Sequence, residues 1–128
     1  MTNKKISASL ENYLEAIYTN IEKKQKVKAI DLSRQLEVSR ASVTEALKKL
    51  ATKELINYDR YGDISLTPEG INTAKKIFSK HNLLMTFFKE ILNLEEKEAE
   101  ENACRIEHVI SQKAYEHLRI FTEKSLKK

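Results

Sequence analysis

Apolar positions in the first third of the chain recur with the spacing of helices. Residues 8–24 fit an amphipathic helix, because apolar side chains recur there at i, i+3, i+4 and i+7. Residues 29–36 fit a second, shorter helix with Leu32 and Leu36 facing inward. The apolar stripe of the first predicted helix comprises Leu10, Tyr13, Leu14, Ile17, Tyr18 and Ile21.

A third helix is predicted after a tight turn at residues 37–39 and runs to about Lys53. Ser39 suits its N-cap, because a serine hydroxyl accepts a hydrogen bond from a backbone N–H of the first turn. Two short helices joined by a few residues, the second beginning with small polar and basic side chains, are typical of a helix-turn-helix. The inward stripe of the third helix is Val43, Ala46, Leu47 and Leu50.

A short hairpin is predicted directly after the third helix. Residues 56–58 and 64–66 alternate apolar and polar side chains like two short strands, and residues 59–63 form the turn between them. A hairpin in this position is a wing. Arg60 and Tyr61 at its tip either touch a DNA phosphate backbone or are solvated turn residues.

The second half of the chain is predicted to be helical. A long helix begins at Thr67-Pro68-Glu69 and runs to about residue 92, since threonine suits the N-cap and proline the first helical position. Further helices are predicted at 94–110 and 111–124. The inward residues of these helices are predicted to be Ala74, Ile77, Phe78, Leu84, Phe87, Phe88 and Ile91, then Tyr115, Leu118 and Phe121. The predicted fold is therefore mainly α, with a winged helix-turn-helix at 1–70 and a helical domain at 71–128.

The composition fits a folded helical protein that can bind nucleic acid. Of the residues, 41% are hydrophobic and 33% are charged, and the net charge of +4 is compatible with a DNA partner without establishing one. The single cysteine cannot form an internal disulfide, so we expect a cytoplasmic protein. The chain has no apolar run near the ~20 residues of a membrane span, and we expect no membrane partner.

The segment Cys104-Arg105-Ile106-Glu107-His108 carries the clearest candidate chemistry. On a helix, positions i, i+3 and i+4 are neighbours, so Cys104, Glu107 and His108 are predicted to share one face. A thiolate, a carboxylate and an imidazole together suit a divalent first-row metal. The alternative is a small buried cysteine beside a hydrogen-bonded histidine.

The order of these pieces resembles the DtxR/MntR family of metal-dependent transcriptional repressors, in the compact form without an SH3-like domain. The family resemblance implies a winged helix-turn-helix, a helical dimerisation domain, a homodimer and a regulatory metal. The matching positions make Asn12, Glu15, His81, Cys104, Glu107 and His108 the expected metal ligands. The resembling segments are LENYLEAI (10–17), VSRASVTEALKKL (38–50), LINYDRYGDISLTPEG (55–70), HNLL (81–84) and ACRIEHVIS (103–111).

Departures from the family pattern bear on the choice of metal. The resemblance implies methionine and cysteine at two ligand positions in the iron-responsive branch, and aspartate and glutamate in the manganese branch. Here these positions are Asn12 and Cys104. We expect Fe²⁺, because a thiolate favours the later and softer metals, with Mn²⁺ as the alternative, because Glu15 suits it. The sequence does not decide whether a second metal ion binds to His81 together with Glu15 or Glu100.

The resemblance also implies that the third helix enters the major groove of a palindromic DNA operator. Ala41 could meet a thymine methyl and Glu45 could accept from cytosine, whereas Lys48, Lys49 and Arg60 would contact phosphates. A dimer would place its two recognition helices roughly 34 Å apart. The residues expected at the DNA are Ser39, Arg40, Ala41, Ser42, Thr44, Glu45, Lys48, Lys49, Arg60 and Tyr61.

Two rival functions were compared with a metal-dependent repressor. A winged-helix regulator that no metal controls would bind DNA unchanged after replacement of Cys104 or His108. An enzyme acting on a small organic substrate is disfavoured, because the chain has no His-Glu-x-x-His helix and no glycine-rich phosphate loop. We therefore expect no enzymatic activity.

Overall fold

The structure is a computed structural model, and it describes residues 6–23 and 26–127. These residues form mainly helices, as predicted, in two compact units that divide between Lys75 and Lys76. Residues 1–5, 24, 25 and 128 of the predicted segments lie outside the described residues. In chain order the elements are α1 (Ala8–Glu22), α2 (Ala29–Leu36), α3 (Arg40–Thr52), β1 (Ile56–Tyr58), β2 (Ile64–Leu66), α4 (Pro68–Thr86), a π-helical turn (Phe87–Ile91), α5 (Glu96–Ile106) and α6 (Gln112–Leu126). The predicted division of domains at residue 70 stays a prediction.

The core of the first unit is built by the three apolar stripes that the sequence predicts. Helix α1 contacts α2, α3 and β2, and α3 also contacts β1. Ile21 and Leu36 at the ends of their helices are half-buried rather than buried. The fully buried large side chains of this unit are Leu14, Ile17, Leu32, Val43, Leu47, Leu50 and Leu55.

The turn between α2 and α3 is fixed by short hydrogen bonds. Glu37 takes the left-handed conformation with φ 56° and ends α2. The Ser33 hydroxyl donates to the Val38 carbonyl at 2.6 Å. The Ser39 hydroxyl accepts from the Ser42 backbone N–H at 3.1 Å, which confirms the predicted N-cap of α3.

The wing is an antiparallel hairpin in which Ile56 pairs with Leu66 and Tyr58 with Ile64. The Asp59 carboxylate organises the tip, since it accepts from the backbone N–H groups of Tyr61 at 2.8 Å and Asp63 at 3.0 Å. Both predicted strands are confirmed.

Helix α4 begins against the backbone that precedes β1. The Thr67 hydroxyl accepts from the Gly70 N–H at 3.0 Å and donates to the Glu54 carbonyl at 2.7 Å, so Thr67 caps α4 as predicted. The Thr67 N–H also donates to the Leu55 carbonyl at 3.2 Å. Gly70 is needed here, because a Cβ atom would lie 1.9 Å from the Leu55 carbonyl oxygen.

The second unit contains the C-terminal part of α4, the π-helical turn, α5 and α6, and the turn contacts both later helices. The helix predicted to run to about residue 92 is α-helical only to Thr86 and continues as the π-helical turn. Further details differ from the predictions. Helix α5 was predicted at 94–110 but spans Glu96–Ile106. Phe78 and Phe121 were predicted to face inward but are 38% and 54% exposed. The buried position on α6 is Thr122, because its inward face follows positions 115, 118 and 122.

None of the helices formed by residues 6–23 and 26–127 is long and apolar enough to cross a membrane.

The Gly70→Ala variant should be strongly destabilised. Its new methyl group would overlap the Leu55 carbonyl oxygen, and relief requires movement of backbone, at a cost of about 3 kcal/mol. Urea denaturation followed by circular dichroism measures the loss. The control is Asn72→Ala on the exposed side of the same helix, which should change the free energy of unfolding by less than about 0.5 kcal/mol. Equal midpoints for the two variants would contradict the close approach.

Candidate metal centre and nucleic-acid interface

His81, near the C-terminal end of α4, is the centre of a cluster of potential metal ligands. Its Nδ1 lies 2.5 Å from Oε1 of Glu107, and its Nε2 lies 3.2 Å from Oε1 of Glu100. The imidazole side chain is only 12% exposed. One histidine ring therefore meets a different carboxylate on each of its two nitrogens.

Helix α5 supplies the other members of this cluster along one stripe. Glu100, Cys104 and Glu107 follow the i, i+4, i+7 spacing, so their side chains project from the same side of the helix. The Cys104 thiol donates a hydrogen bond to Oε2 of Glu100 at 3.4 Å. Glu100 and Cys104 are exposed, whereas Glu107 is buried.

The predicted shared face of Cys104, Glu107 and His108 stays a prediction. The helix ends at Ile106, and His108 lies in the following turn. Glu107 keeps helical backbone angles, and its N–H donates to the Ala103 carbonyl at 3.0 Å, so it stays in line with the helix. Oε2 of Glu107 lies 3.3 Å from Nε2 of His108.

The remaining predicted ligands lie on α1 in the first unit. Asn12 is exposed and Glu15 is half-buried. Their role as metal ligands stays a prediction. Glu100 was considered in the sequence only as a partner of His81 for a second metal. Its position one helical turn before Cys104 is the signal that could have identified it.

The donor set of the second unit fits a transition-metal ion. His81, Glu100 and Cys104 each offer one ligand atom, and these atoms all lie within 4.8 Å of one another. Metal–ligand bonds to nitrogen, oxygen and sulfur are about 2.0–2.3 Å long, so donors this close can share one ion after small side-chain movements. A nitrogen, a carboxylate oxygen and a sulfur together suit iron and the later first-row metals.

Helix α6 lies outside this donor set but carries charged interactions of its own. Hydrogen bonds from Arg119 lower the pKa of the Glu116 carboxyl, and burial raises the pKa of the Tyr115 phenol. The Lys80 ammonium lies 5.8 Å from the centre of the Tyr115 ring. This contact links α4 to α6.

The start of α3 presents the residues predicted to contact DNA. Ser39, Arg40, Ala41, Ser42 and Glu45 are exposed, and Thr44 is half-buried. Besides capping the helix, the Ser39 hydroxyl lies 3.0 Å from the Ser42 hydroxyl.

Basic side chains border an open groove between α3 and the wing. The groove has a volume of about 550 Å³, and Lys48, Thr52, Tyr58 and Arg60 are among the residues that line it. Lys49 is also exposed, and Tyr61 at the wing tip is 78% exposed. The whole set of predicted DNA contacts is therefore accessible or half-accessible in the first unit. Their contact with DNA stays a prediction.

Two protein-family models match successive segments that together span most of the chain. The model for the N-terminal DNA-binding domain of iron-dependent repressors matches residues 5–64. The model for their metal-binding and dimerisation domain matches residues 67–125. The matched regions include α3 and β1 in the first case, and His81 and α5 in the second.

Full-length relatives agree with the family models. An uncharacterized HTH-type transcriptional regulator of Methanocaldococcus jannaschii is 42% identical over 120 residues, which are 93% of this chain and 96% of the relative. The HTH-type transcriptional regulator MntR of Shouchella clausii is 34% identical over 110 residues, 86% of this chain and 76% of MntR.

A solved structure of a manganese-dependent transcriptional repressor in complex with manganese superposes with a TM-score of 0.82 at 27% identity. The match covers 89% of this chain but 52% of the repressor, so the chain spans about half the length of that protein. The chain thus belongs to the iron-dependent repressor family, the DtxR/MntR family, whose members are metal-dependent DNA-binding repressors of transcription and not enzymes.

Proposed function

We propose that this chain is a homodimeric repressor whose affinity for a palindromic operator rises when it binds Fe²⁺. The observation that carries the proposal is the convergence of His81, Glu100, Cys104 and Glu107 in the part of the chain that matches a metal-binding domain. The DNA contacts would come from the other matched domain, through the exposed start of α3.

The regulation requires that binding of the metal changes the affinity of the protein for DNA. When bound, the metal supplies positive charge that holds donors of α4 and α5 together. If the DNA-binding state of the repressor keeps these donors close, the metal has higher affinity for that state and raises its population. By linkage, operator DNA must then raise the affinity for metal by the same factor.

On the DNA side, the residues of α3 and the wing divide into two groups. Arg40, Ala41 and Glu45 are exposed near the helix start, where side chains reach base edges in the major groove. Lys48 and Arg60 border the groove beside the wing and would contact phosphates, which position the protein without specifying sequence.

The choice between Fe²⁺ and Mn²⁺ follows from the donor types. Cys104 offers a thiolate, which favours Fe²⁺ over Mn²⁺. The alternative, Mn²⁺, is supported by the carboxylates of Glu100 and Glu107 and by the manganese-dependent relative described above. Raw affinity rises through the first-row series, so tight binding of a later metal in vitro would not identify the metal used in the cell.

Dimerisation is supported by apolar side chains that remain exposed on α6. Ile120 is 44% exposed, Phe121 54% and Leu126 48%. The second unit also matches a family domain for dimerisation. A symmetric dimer presents two recognition helices, so a palindromic operator with half-sites roughly 34 Å apart is the expected target. We place the protein in the cytoplasm, with its DNA.

The central prediction concerns DNA affinity with and without metal. The measurement is the fluorescence anisotropy of a labelled duplex that carries the palindrome upstream of the chain's own gene. Binding should be at least about tenfold tighter in anaerobic Fe²⁺ than in chelator, which corresponds to a coupling free energy of about 1.4 kcal/mol. His81→Ala should abolish the increase, because it removes the ring between Glu100 and Glu107. The matched control is His117→Ala, an exposed histidine on α6, which should respond like the unmodified chain.

Two results of this experiment would change the proposal. Equal affinity in chelator and in metal would favour a winged-helix regulator that metal does not control. A full response to Mn²⁺ with none to Fe²⁺ would make manganese the regulatory metal. Metal concentrations are set by buffered chelators, so that occupancy and not total metal is compared.

Salt dependence should separate phosphate contacts from base contacts. Lys48→Ala should weaken binding to all sequences alike and reduce the slope of log K against log salt by about one. Arg40→Ala should instead reduce the preference for the operator over random DNA. Lys113→Ala, an exposed lysine on α6, is the charge-matched control and should leave both quantities unchanged. An unchanged slope for Lys48→Ala would exclude its phosphate contact.

Asn12 and Glu15 are retained as proposed ligands on the family resemblance. Glu15→Gln should lower the affinity for Mn²⁺ by about tenfold or more, since an amide is a weaker ligand than a carboxylate. Isothermal titration calorimetry measures the affinity, with the exposed Glu22→Gln of the same helix as the control. Identical binding by both variants would remove Glu15 from the ligand set.

A further inference from the structure

Thr67 lies where three parts of the first unit meet, namely the end of α3, the base of the wing and the start of α4. We infer that Thr67 is a positioning residue that ties the end of α3 to the start of α4, and that metal control of DNA binding depends on this tie. The inference rests on the proposed metal regulation. Thr67 itself is neither a proposed metal ligand nor a proposed DNA contact.

The end of α3 is held in a costly backbone conformation. The Glu54 N–H donates to the Ala51 carbonyl at 2.9 Å, and the Leu55 N–H donates to the carbonyl of Leu50 at 3.0 Å. Helices that end with these two bonds need a left-handed residue after the last turn, and glycine usually occupies that position. Here Glu54 takes the left-handed conformation with φ 62°. Because a side chain at this angle strains the backbone, contacts from a neighbouring segment stabilise the helix end.

Thr67 provides such contacts from the other side of the wing. Its hydroxyl donates to the Glu54 carbonyl at 2.7 Å, and its N–H donates to the Leu55 carbonyl at 3.2 Å. The chain enters the wing directly after Leu55 and leaves it at Leu66, directly before Thr67. These two bonds therefore hold the end of α3 and close the base of the hairpin at the same time.

The same hydroxyl also begins α4. It accepts from the Gly70 N–H at 3.0 Å, and the Thr67 carbonyl accepts from the Ile71 N–H at 2.9 Å. Gly70 approaches the Leu55 carbonyl so closely that a Cβ atom would not fit. Since one oxygen atom bonds to both segments, a displacement of the start of α4 breaks these hydrogen bonds or moves the end of α3 with it.

This tie connects the helix that carries a proposed metal ligand with the helix that carries proposed DNA contacts. Helix α4 continues to Thr86 and includes His81, whereas α3 includes Arg40 and Lys48. Coupling between two ligands requires an element whose equilibrium both of them bias. The start of α4, bonded to α3 through Thr67, is such an element.

Two substitutions separate the two bonds of the Thr67 hydroxyl. Thr67→Ser keeps both the donor and the acceptor. Thr67→Asp keeps an oxygen that caps α4, but an ionised carboxylate has no proton to donate to the Glu54 carbonyl. The matched control is Thr52→Val on α3, which removes an exposed hydroxyl that donates to the Lys48 carbonyl of the same helix at 2.9 Å.

Hydrogen exchange in the full chain, measured by NMR without metal or DNA, tests the tie itself. The Leu55 amide should exchange at least about tenfold faster in Thr67→Asp than in the unmodified chain, because the end of α3 opens locally. Thr67→Ser and Thr52→Val should stay within about threefold. Equal exchange of Leu55 in Thr67→Asp and in the unmodified chain would overturn the inference. So would equal acceleration of the amides in the middle of α3, because the variant would then be less stable as a whole.

The anisotropy experiment with operator DNA tests the role of Thr67 in regulation. DNA affinity should rise at least about tenfold with Fe²⁺ for the unmodified chain, Thr67→Ser and Thr52→Val, but less than about threefold for Thr67→Asp. A merely structural role would lower the affinity by the same factor with and without metal, and so leave this ratio unchanged. Calorimetry without DNA should give Thr67→Asp a Kd for the metal within about threefold of the original, since Thr67 is not a ligand.

The possible results distinguish this inference from the proposed function. A tenfold rise in Thr67→Asp, or a loss of its metal binding, would overturn the inference and leave the proposed repressor in place. No rise in the unmodified chain would overturn the metal regulation together with the role of Thr67 in it. Hydrogen exchange decides independently whether Thr67 ties α3 to α4.

Discussion

The second unit is organised around the contact between the buried Glu107 carboxyl and the ring of His81. An ionised carboxylate in the interior is costly unless it is paired and hydrogen-bonded, and removal of one partner of a buried pair typically costs about 3–5 kcal/mol. His81 approaches one of its oxygens and His108 the other, at 2.5 and 3.3 Å. The ring of His81 therefore has little freedom, because turning it would leave Glu107 without its shortest contact. Its outward nitrogen is held in a fixed direction.

The elements of the first unit could be predicted closely because their signals are local. Ser39 and Thr67 cap α3 and α4 through hydroxyls only three residues from the N–H groups that they satisfy. The wing strands follow from short alternating segments around a turn that Asp59 organises. The close approach of Gly70 to Leu55 was not predicted, since it joins backbone segments that are distant in sequence.

The second unit was harder to predict because its important contacts are tertiary. Glu100 lies 19 positions from His81, in a glutamate-rich stretch in which charge alone does not single out one residue. Phe121 was expected inside because it is large and apolar, yet the buried position is Thr122. An error of one position arises easily on a helix with apolar residues on two faces. If α6 also pairs with a second copy of the chain, its sequence must satisfy two surfaces at once.

The arrangement around Glu107 also bears on how much metal-binding energy is available for regulation. In small domains that fold only around a metal, the binding free energy is used for folding. Here the buried Glu107 carboxyl contacts two histidine rings, and the proposed metal ligands Glu100 and Cys104 are exposed. The protein would have one state with high and one with low affinity for DNA. A metal that binds the first state more tightly shifts the equilibrium toward it, and a difference of about 1.4 kcal/mol already changes DNA binding tenfold.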